Sequence, residues 1–217
     1  MTREEVKARI TQAGILPGIR VDNAEDAFYA AETVYHAGIT VAEITMTVPG
    51  ALGVINRLTK KYPDFVVGAG TVLFAETAAR CLDAGACFLT STGFVKEVVD
   101  YALGREVVVF PGALTPTEVI AAWKTGADFV KVFPTGPVGG DLYIRSLKIP
   151  LPQVSLIAAG GVNQLTAAKF IRAGATAVGV GGELMPKDAI RLRQDHRIQE
   201  LARRFQQFVA EGRSVVP

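Results

Sequence analysis

Short apolar runs rich in β-branched residues alternate with amphipathic stretches of helical period along nearly the whole chain. The apolar runs fall at 16–21, 41–47, 65–70, 87–90, 106–110, 129–133, 155–159 and 177–180, and their length and composition predict buried strands. Between them, the spacing predicts helices over 24–37, 51–62, 76–84, 116–125 and 164–173. Several of these helices run into a glycine stop just before the next strand, at Ala37-Gly38, Ala84-Gly85, Thr125-Gly126 and Ala173-Gly174. A recurrent Ala-Gly between helix and strand suits the short αβ loops of a repeating unit.

Two further helices flank the repeats, an amphipathic one over 2–13 and a polar one over 195–211. No linker or low-complexity break divides the chain, so 1–217 reads as one domain. Eight β/α units in this length predict a single α/β domain, a closed (β/α)8 TIM-type barrel with an extra helix at each end. The competing architecture is an open doubly wound sheet, but no Gly-x-Gly-x-x-Gly follows the first strand.

Composition narrows the function classes. A net charge of +2 gives no reason to expect nucleic acid or an anionic membrane as partner. No uncharged apolar stretch approaches the roughly 20 residues of a membrane span, and the charged opening residues do not read as a secretory signal. A cytoplasmic location is expected. Cys81 and Cys87 are the two cysteines; a pairing is conceivable, but two thiols make no disulfide framework, and no metal-ligand spacing surrounds them. His36 and His196 lie on predicted helices, where solvated side chains are expected.

Lys131 is the anomaly in this pattern. Of nine lysines it alone sits within a buried-strand run, Asp128-Phe129-Val130-Lys131-Val132-Phe133-Pro134. A buried ammonium finds an anion or loses its proton. A neutral, desolvated lysine is the standard nucleophile for a Schiff base with a carbonyl substrate. The bland alternative is a lysine that ends its strand and snorkels to solvent. In a barrel, strand residues alternate between interior and helix layer, and chemistry gathers at the strands' C-terminal ends. If Lys131 points inward, so do Phe129 and Phe133. On the second strand Glu43 is the only mid-strand acid, sharing its face with Val41, Thr45 and Thr47. Arg20 lies near the C-terminal end of the first strand and Thr71 follows Gly68-Ala69-Gly70, so one barrel mouth gathers a lysine, a glutamate, an arginine and threonines. A salt-bridged layer that merely closes the barrel is the structural alternative, though buried ion pairs are a weak way to gain stability. Gly160-Gly161 follows the seventh strand and Gly179-Val180-Gly181-Gly182 ends the eighth, where this fold commonly cradles phosphate on backbone amides.

The segments Glu43-Ile44-Thr45-Met46-Thr47-Val48-Pro49, Gly68-Ala69-Gly70-Thr71-Val72, Phe110-Pro111-Gly112, Lys131-Val132-Phe133-Pro134 and Gly160-Gly161-Val162 resemble the class I 2-keto-3-deoxy-6-phosphogluconate (KDPG) aldolases. The resemblance is collinear from about Arg20 to Pro186. It implies a (β/α)8 homotrimer that binds a small 2-oxo acid and cleaves KDPG, or 4-hydroxy-2-oxoglutarate, to pyruvate and an aldehyde. By position, Lys131 matches the Schiff-base lysine, Glu43 the general acid/base, Thr71 a residue near the pyruvyl group and Arg20 a basic site residue. Thr47, Phe133, Gly160, Gly161, Gly181 and Gly182 are the further substrate-binding candidates. The pyruvyl carboxylate would meet Arg20 or the Thr71 turn. No metal and no other cofactor are implied, because the iminium does the polarising.

Departures from the family pattern bear on the phosphate. Many members have Pro-Thr-Gly-Gly where this chain has Ala158-Ala159-Gly160-Gly161, and a serine in the last glycine loop where this chain has Gly182 followed by Glu183. Two hydroxyl donors are missing, and Glu183 is expected to oppose an anion. Some members have arginine at the position of Thr47, and many have Ser-Pro where Ser91-Thr92 stands. Two other readings compete: a sugar-phosphate isomerase or epimerase using Lys131 and Glu43 without a covalent step, and a barrel kept as a binding module.

Overall fold

The computed structural model describes residues 1–214. Helix α1 (Arg3–Ala13) opens on a capping box, in which Thr2 and Glu5 satisfy each other's backbone amides, and ends on Gly14 at φ 64°. Strand β1 (Ile15–Ile19) is followed by α2 (Ala24–His36), β2 (Val41–Thr45), α3 (Ala51–Lys61), β3 (Val66–Gly70), α4 (Ala75–Asp83) and β4 (Phe88–Thr90). Then come α5 (Lys96–Gly104), β5 (Val108–Phe110), β6 (Gly112–Ala113), α6 (Pro116–Lys124), β7 (Val130–Val132), a 3-10 turn at Gly136–Val138 and α7 (Asp141–Lys148). The chain closes with β8 (Leu156–Ala159), α8 (Ala167–Arg172), β9 (Ala177–Val180), α9 (Lys187–Arg191) and α10 (Asp195–Ser214).

All strand pairs are parallel, in the order β5-β4-β3-β2-β1-β9-β8-β7-β6. β5 and β6 are one barrel stave interrupted at Pro111, which has no N–H to give to a ladder. Its carbonyl still accepts from Lys131 N at 2.9 Å, and Phe110 O accepts from Ser91 N at 3.3 Å, so the stave bonds to both neighbours and the barrel closes. The nine strand segments therefore make the eight-staved barrel that the alternation predicted.

The core has two layers. Between sheet and helices lies a large aliphatic cluster that includes Ala42, Ile44, Val130 and Val132. Inside the barrel lies a smaller cluster built on Phe88, Phe110 and Phe129, with Val6 and Ile10 of α1 inserted from the N-terminal end. Phe88 stacks on Phe110 at 5.1 Å between centroids, and Phe129 meets Phe110 edge-on at 5.0 Å. Arg3 clamps α1 in place by donating to Asp128, whose carboxylate also accepts from Val109 N at 3.3 Å. The barrel is thus plugged below and dry through its middle, leaving its C-terminal mouth for polar groups.

Element ends differ from the sequence expectation. The second strand stops at Thr45, and Thr47 lies exposed in a turn, because Val48 N folds back to Thr45 O at 3.0 Å while Thr45 Oγ1 bonds Ile19 O at 3.0 Å. Arg20 lies just past β1, and Phe133 just past β7. The two cysteines are free thiols; burial pushes the Cys81 thiol up to about 11. His36 and His196 are exposed, as expected. No helix among the described residues is long and apolar enough to cross a membrane.

Candidate active site

The strand parity that turns Val130 and Val132 outward turns Lys131 into the barrel, and the same parity on β2 turns Glu43 inward. They meet above the phenylalanine layer. Lys131 Nζ lies 3.4 Å from Glu43 Oε1 and 3.3 Å from Oε2, with the two side chains 10% and 5% exposed. Thr90 on β4, fully buried, joins both: its hydroxyl donates to Glu43 Oε2 at 2.9 Å and accepts from Lys131 Nζ at 3.3 Å. Gly70 leaves the room that the carboxylate occupies, since a Cβ built there would lie 2.0 Å from Glu43 Oε1.

The pair forms part of the floor of a cavity of about 350 Å³ that opens at the strands' C-terminal ends. Among its walls are Ile19, Phe133, Ile157 and Met185, while Arg20, Gly160, Gly181, Gly182 and Lys187 line it too. The apolar lining with few convergent polar groups is typical of a small-molecule site. Of the candidates named from sequence, Lys131, Glu43, Arg20, Phe133, Gly160, Gly181 and Gly182 all face this one cavity. Thr47 and Thr71 stand one contact behind it. Thr47 Oγ1 lies 2.8 Å from Oγ1 of Thr45, which does line the cavity. Thr71 Oγ1 accepts from Arg20 Nη2 at 3.3 Å, and Thr71 holds φ 59°, a conformation that β-branched residues rarely adopt. That arginine–threonine bridge spans the gap between the ends of β1 and β3.

Gly161 is not among the cavity-lining residues. At φ 103° it crosses Gly136, whose Cα would sit 2.6 Å from a Cβ at 161, so its smallness serves a crossing of two turns. Glu183 also departs from expectation. It lines an outer hollow together with Arg197 and Arg204, not the cavity, because the turn after Gly182 swings it outward. Lys187, at the start of α9, occupies the rim instead and reaches Asp22 at 3.5 Å. Thr90, Gly70 and Lys187 were missed from the sequence. The signal for Thr90 was available: period-two alternation from inward Phe88 places residue 90 inside. No group of three or more His, Cys, Asp or Glu side chains among the described residues could hold a metal ion.

Fold and pocket together define a (β/α)8 barrel enzyme with an amine and a carboxylate facing each other at the floor of a small-molecule cavity. The family model described as KDPG and KHG aldolase matches residues 6–201, and the chain belongs to that family. It is an aldolase, a carbon–carbon lyase. It is 32% identical over 215 residues to the 2-dehydro-3-deoxy-phosphogluconate aldolase of Pseudomonas aeruginosa, covering 97% of each chain. It is 28% identical over 194 residues to the KHG/KDPG aldolase of Escherichia coli K12, covering 89% of this chain and 91% of that one. Among solved structures, the KDPG aldolase of Legionella pneumophila, with pyruvate captured as a covalent carbinolamine, superposes with a TM-score of 0.84 at 28% identity. That match covers 91% of this chain and 96% of the other.

Proposed function

We propose that this aldolase cleaves 2-oxo-3-deoxy acids through a Schiff base on Lys131, with Glu43 moving the protons. The observation that carries the reading is the placement of the Lys131 amine 3.3–3.4 Å from the Glu43 carboxylate on the cavity floor. Lys131 gives a proton to Glu43 and its free amine adds to the C2 carbonyl, forming a carbinolamine. Glu43 returns the proton to the departing hydroxyl, which leaves as water, and a protonated imine remains. Glu43, through a water, then takes the C4 hydroxyl proton. The C3–C4 electron pair flows into the imine, the aldehyde departs and an enamine is left. Protonation at C3 and hydrolysis release pyruvate and regenerate the amine.

The aldehyde half extends toward the rim. Arg20, tied to Thr71, is the cation for the pyruvyl carboxylate. Lys187 and the amides of Gly181 and Gly182 suit a terminal anion, phosphate or carboxylate, and Glu183 lines the outer hollow and not this cavity. KDPG and 4-hydroxy-2-oxoglutarate, which the relatives' names indicate, both end in such an anion. Exposed Leu73 and Phe74, before α4, supply apolar surface that a homotrimer contact would cover in a cytoplasmic enzyme, a state that sedimentation would read directly.

The test is borohydride reduction in the presence of pyruvate, which should leave a stable pyruvyl-derived mass on Lys131. Lys131→Arg keeps the cation opposite Glu43 but cannot form an imine, so trapping and cleavage should both vanish in a folded protein. A non-covalent isomerase would give no adduct in the parent enzyme and would turn over sugar phosphates without releasing pyruvate.

A further inference from the structure

We infer that Thr90 is the positioning residue of the proton-transfer step, holding Glu43 Oε2 so that Oε1 is the oxygen that exchanges protons with substrate. The inference rests on the Schiff-base reading above. Three bonds reach the Glu43 carboxylate. The two from Lys131 are 3.3 and 3.4 Å, long for an ammonium and a carboxylate, which ordinarily meet at about 2.7–2.9 Å. The one from Thr90 is 2.9 Å, an ordinary hydroxyl bond. The shortest contact on the general acid/base is therefore with the threonine.

The chemistry sharpens the difference. Once Lys131 has become an imine it is no longer an ammonium with three protons to share. At the moments when Glu43 must take the C4 proton and deliver one to C3, the lysine's grip on it is weakened by the reaction itself. The Thr90 hydroxyl is unaffected. Its side chain is β-branched, with few rotamers open to it, fully buried, and carried on a strand paired to β3 and β5. A single hydroxyl proton can satisfy one carboxylate oxygen only, and it goes to Oε2. Oε1 is left beside Gly70, where its one side-chain contact is the long 3.4 Å bond from Lys131 that the reaction itself removes. The same hydroxyl's lone pairs accept from Lys131 Nζ at 3.3 Å, so one rigid group sets the position of both reacting residues in the free enzyme.

The experiment separates this role from mere packing. Thr90→Val conserves shape and removes only the hydroxyl; Thr90→Ser keeps the hydroxyl and removes only the methyl. Two quantities are read on each: the rate at which the pyruvate methyl protons exchange for solvent deuterium, which needs proton transfer, and the extent of borohydride trapping once imine formation with saturating pyruvate has reached equilibrium, which a slower proton transfer leaves unchanged. Thr90→Val should lower exchange and the kcat of cleavage by about ten- to hundredfold, the span expected for one hydrogen bond to a charged group, while trapping persists and KM changes little. Thr90→Ser should restore most of the exchange. In a Glu43→Ala background, Thr90→Val should cost little more, because the group it positions is gone.

Exchange at the parental rate in Thr90→Val would overturn the inference. So would a loss that serine fails to repair, or trapping that falls in step with exchange. If Thr90→Val does not fold, Thr90→Ala and Thr90→Ser compared with each other put the same question, and equal exchange in the two overturns the inference. Absence of any adduct in the parent enzyme would instead sink the Schiff-base reading.

Discussion

Gly70 offers the sharpest test of how the site is held, because one methyl group there should remove activity while sparing the fold. An ideal Cβ at residue 70 lies 2.0 Å from Glu43 Oε1, 2.3 Å from Cδ and 2.6 Å from Cγ. Ordinary contact begins near 3.4 Å, so Gly70→Ala forces the carboxylate to retreat by about 1 Å or more. Moving as far from Thr90, it would stretch the 2.9 Å bond beyond hydrogen-bonding reach. The atoms that must move are the free end of a flexible side chain bordering a cavity, so the cost in stability is small. The cost in rate is not: a misplacement of this size at a reacting group is worth on the order of 10²-fold. Gly70→Ala should therefore lower cleavage and pyruvate exchange by about that factor, with thermal unfolding near the parental midpoint and imine trapping retained. Gly68, two residues earlier on the same strand face, is the control. Its Cβ would strike the Phe88 ring at 2.2 Å, within the rigid aromatic layer. Gly68→Ala should fail by unfolding rather than by slow chemistry. Parental exchange rates in a folded Gly70→Ala protein would refute the reasoning, as would equal destabilisation by the two alanines.

Three further outcomes are expected. Glu43→Gln should reduce exchange and cleavage by about 10²–10⁴-fold in steady-state assays while the pyruvate adduct on Lys131 still forms. Lys187→Gln should lower the ratio of kcat/KM for terminally anionic over neutral 2-oxo-3-deoxy acids by about three- to tenfold, and Asp22→Asn, which frees the lysine, should raise it; a ratio flat in both variants would remove Lys187 from specificity. Asp128→Ala, which unfastens Arg3 of α1 and strands the Val109 amide, should cost about 1–3 kcal/mol in urea unfolding, and a cost near zero would mean that the other contacts of α1, Val6 and Ile10 in the core and Arg213 on its last turn, suffice to hold it.

The barrel was legible because its local rules repeat. Short apolar runs separated by helical spacing and Ala-Gly stops specify β/α units, and their number leaves few closed architectures. Lys131 and Glu43 were legible as polar exceptions on apolar strands. What stayed hidden was set by contacts distant in sequence. Thr90 is one of many threonines until the barrel brings Glu43, 47 positions earlier, against its hydroxyl. Gly70 read only as the last residue of a predicted strand, and only the structure reveals the carboxylate lying over it. The direction of Glu183 depends on how the turn after β9 leaves the barrel, which proximity in sequence to Gly182 does not reveal. Strand ends erred for a similar reason, since an apolar run does not reveal where the backbone folds back on itself, as Val48 N does onto Thr45 O.

The two residues proposed to react lie 88 positions apart, so their meeting depends on the barrel closing in a single register. A slip of one residue on β7 would exchange Lys131 for Val130 or Val132 on the interior face. The stave that pairs with β7 is the interrupted one, where Pro111 keeps its carbonyl bonded to Lys131 N at 2.9 Å and Gly112 pairs with Lys131. A Cβ at Gly112 would sit 2.2 Å from the Thr92 backbone, so the break also lets the segment after β4 approach. The Phe-Pro-Gly that links β5 to β6 is thus a structural device with a chemical result: it fixes the lysine's backbone on one side while Thr90, at the end of the neighbouring β4, fixes its amine. An ion pair buried this deeply gains the fold little, and apolar residues of equal volume would serve the barrel as well. What the pair gains is a desolvated amine beside a carboxylate with room above them for a three-carbon oxo acid, and the strand register, the proline break and the threonine all serve that placement.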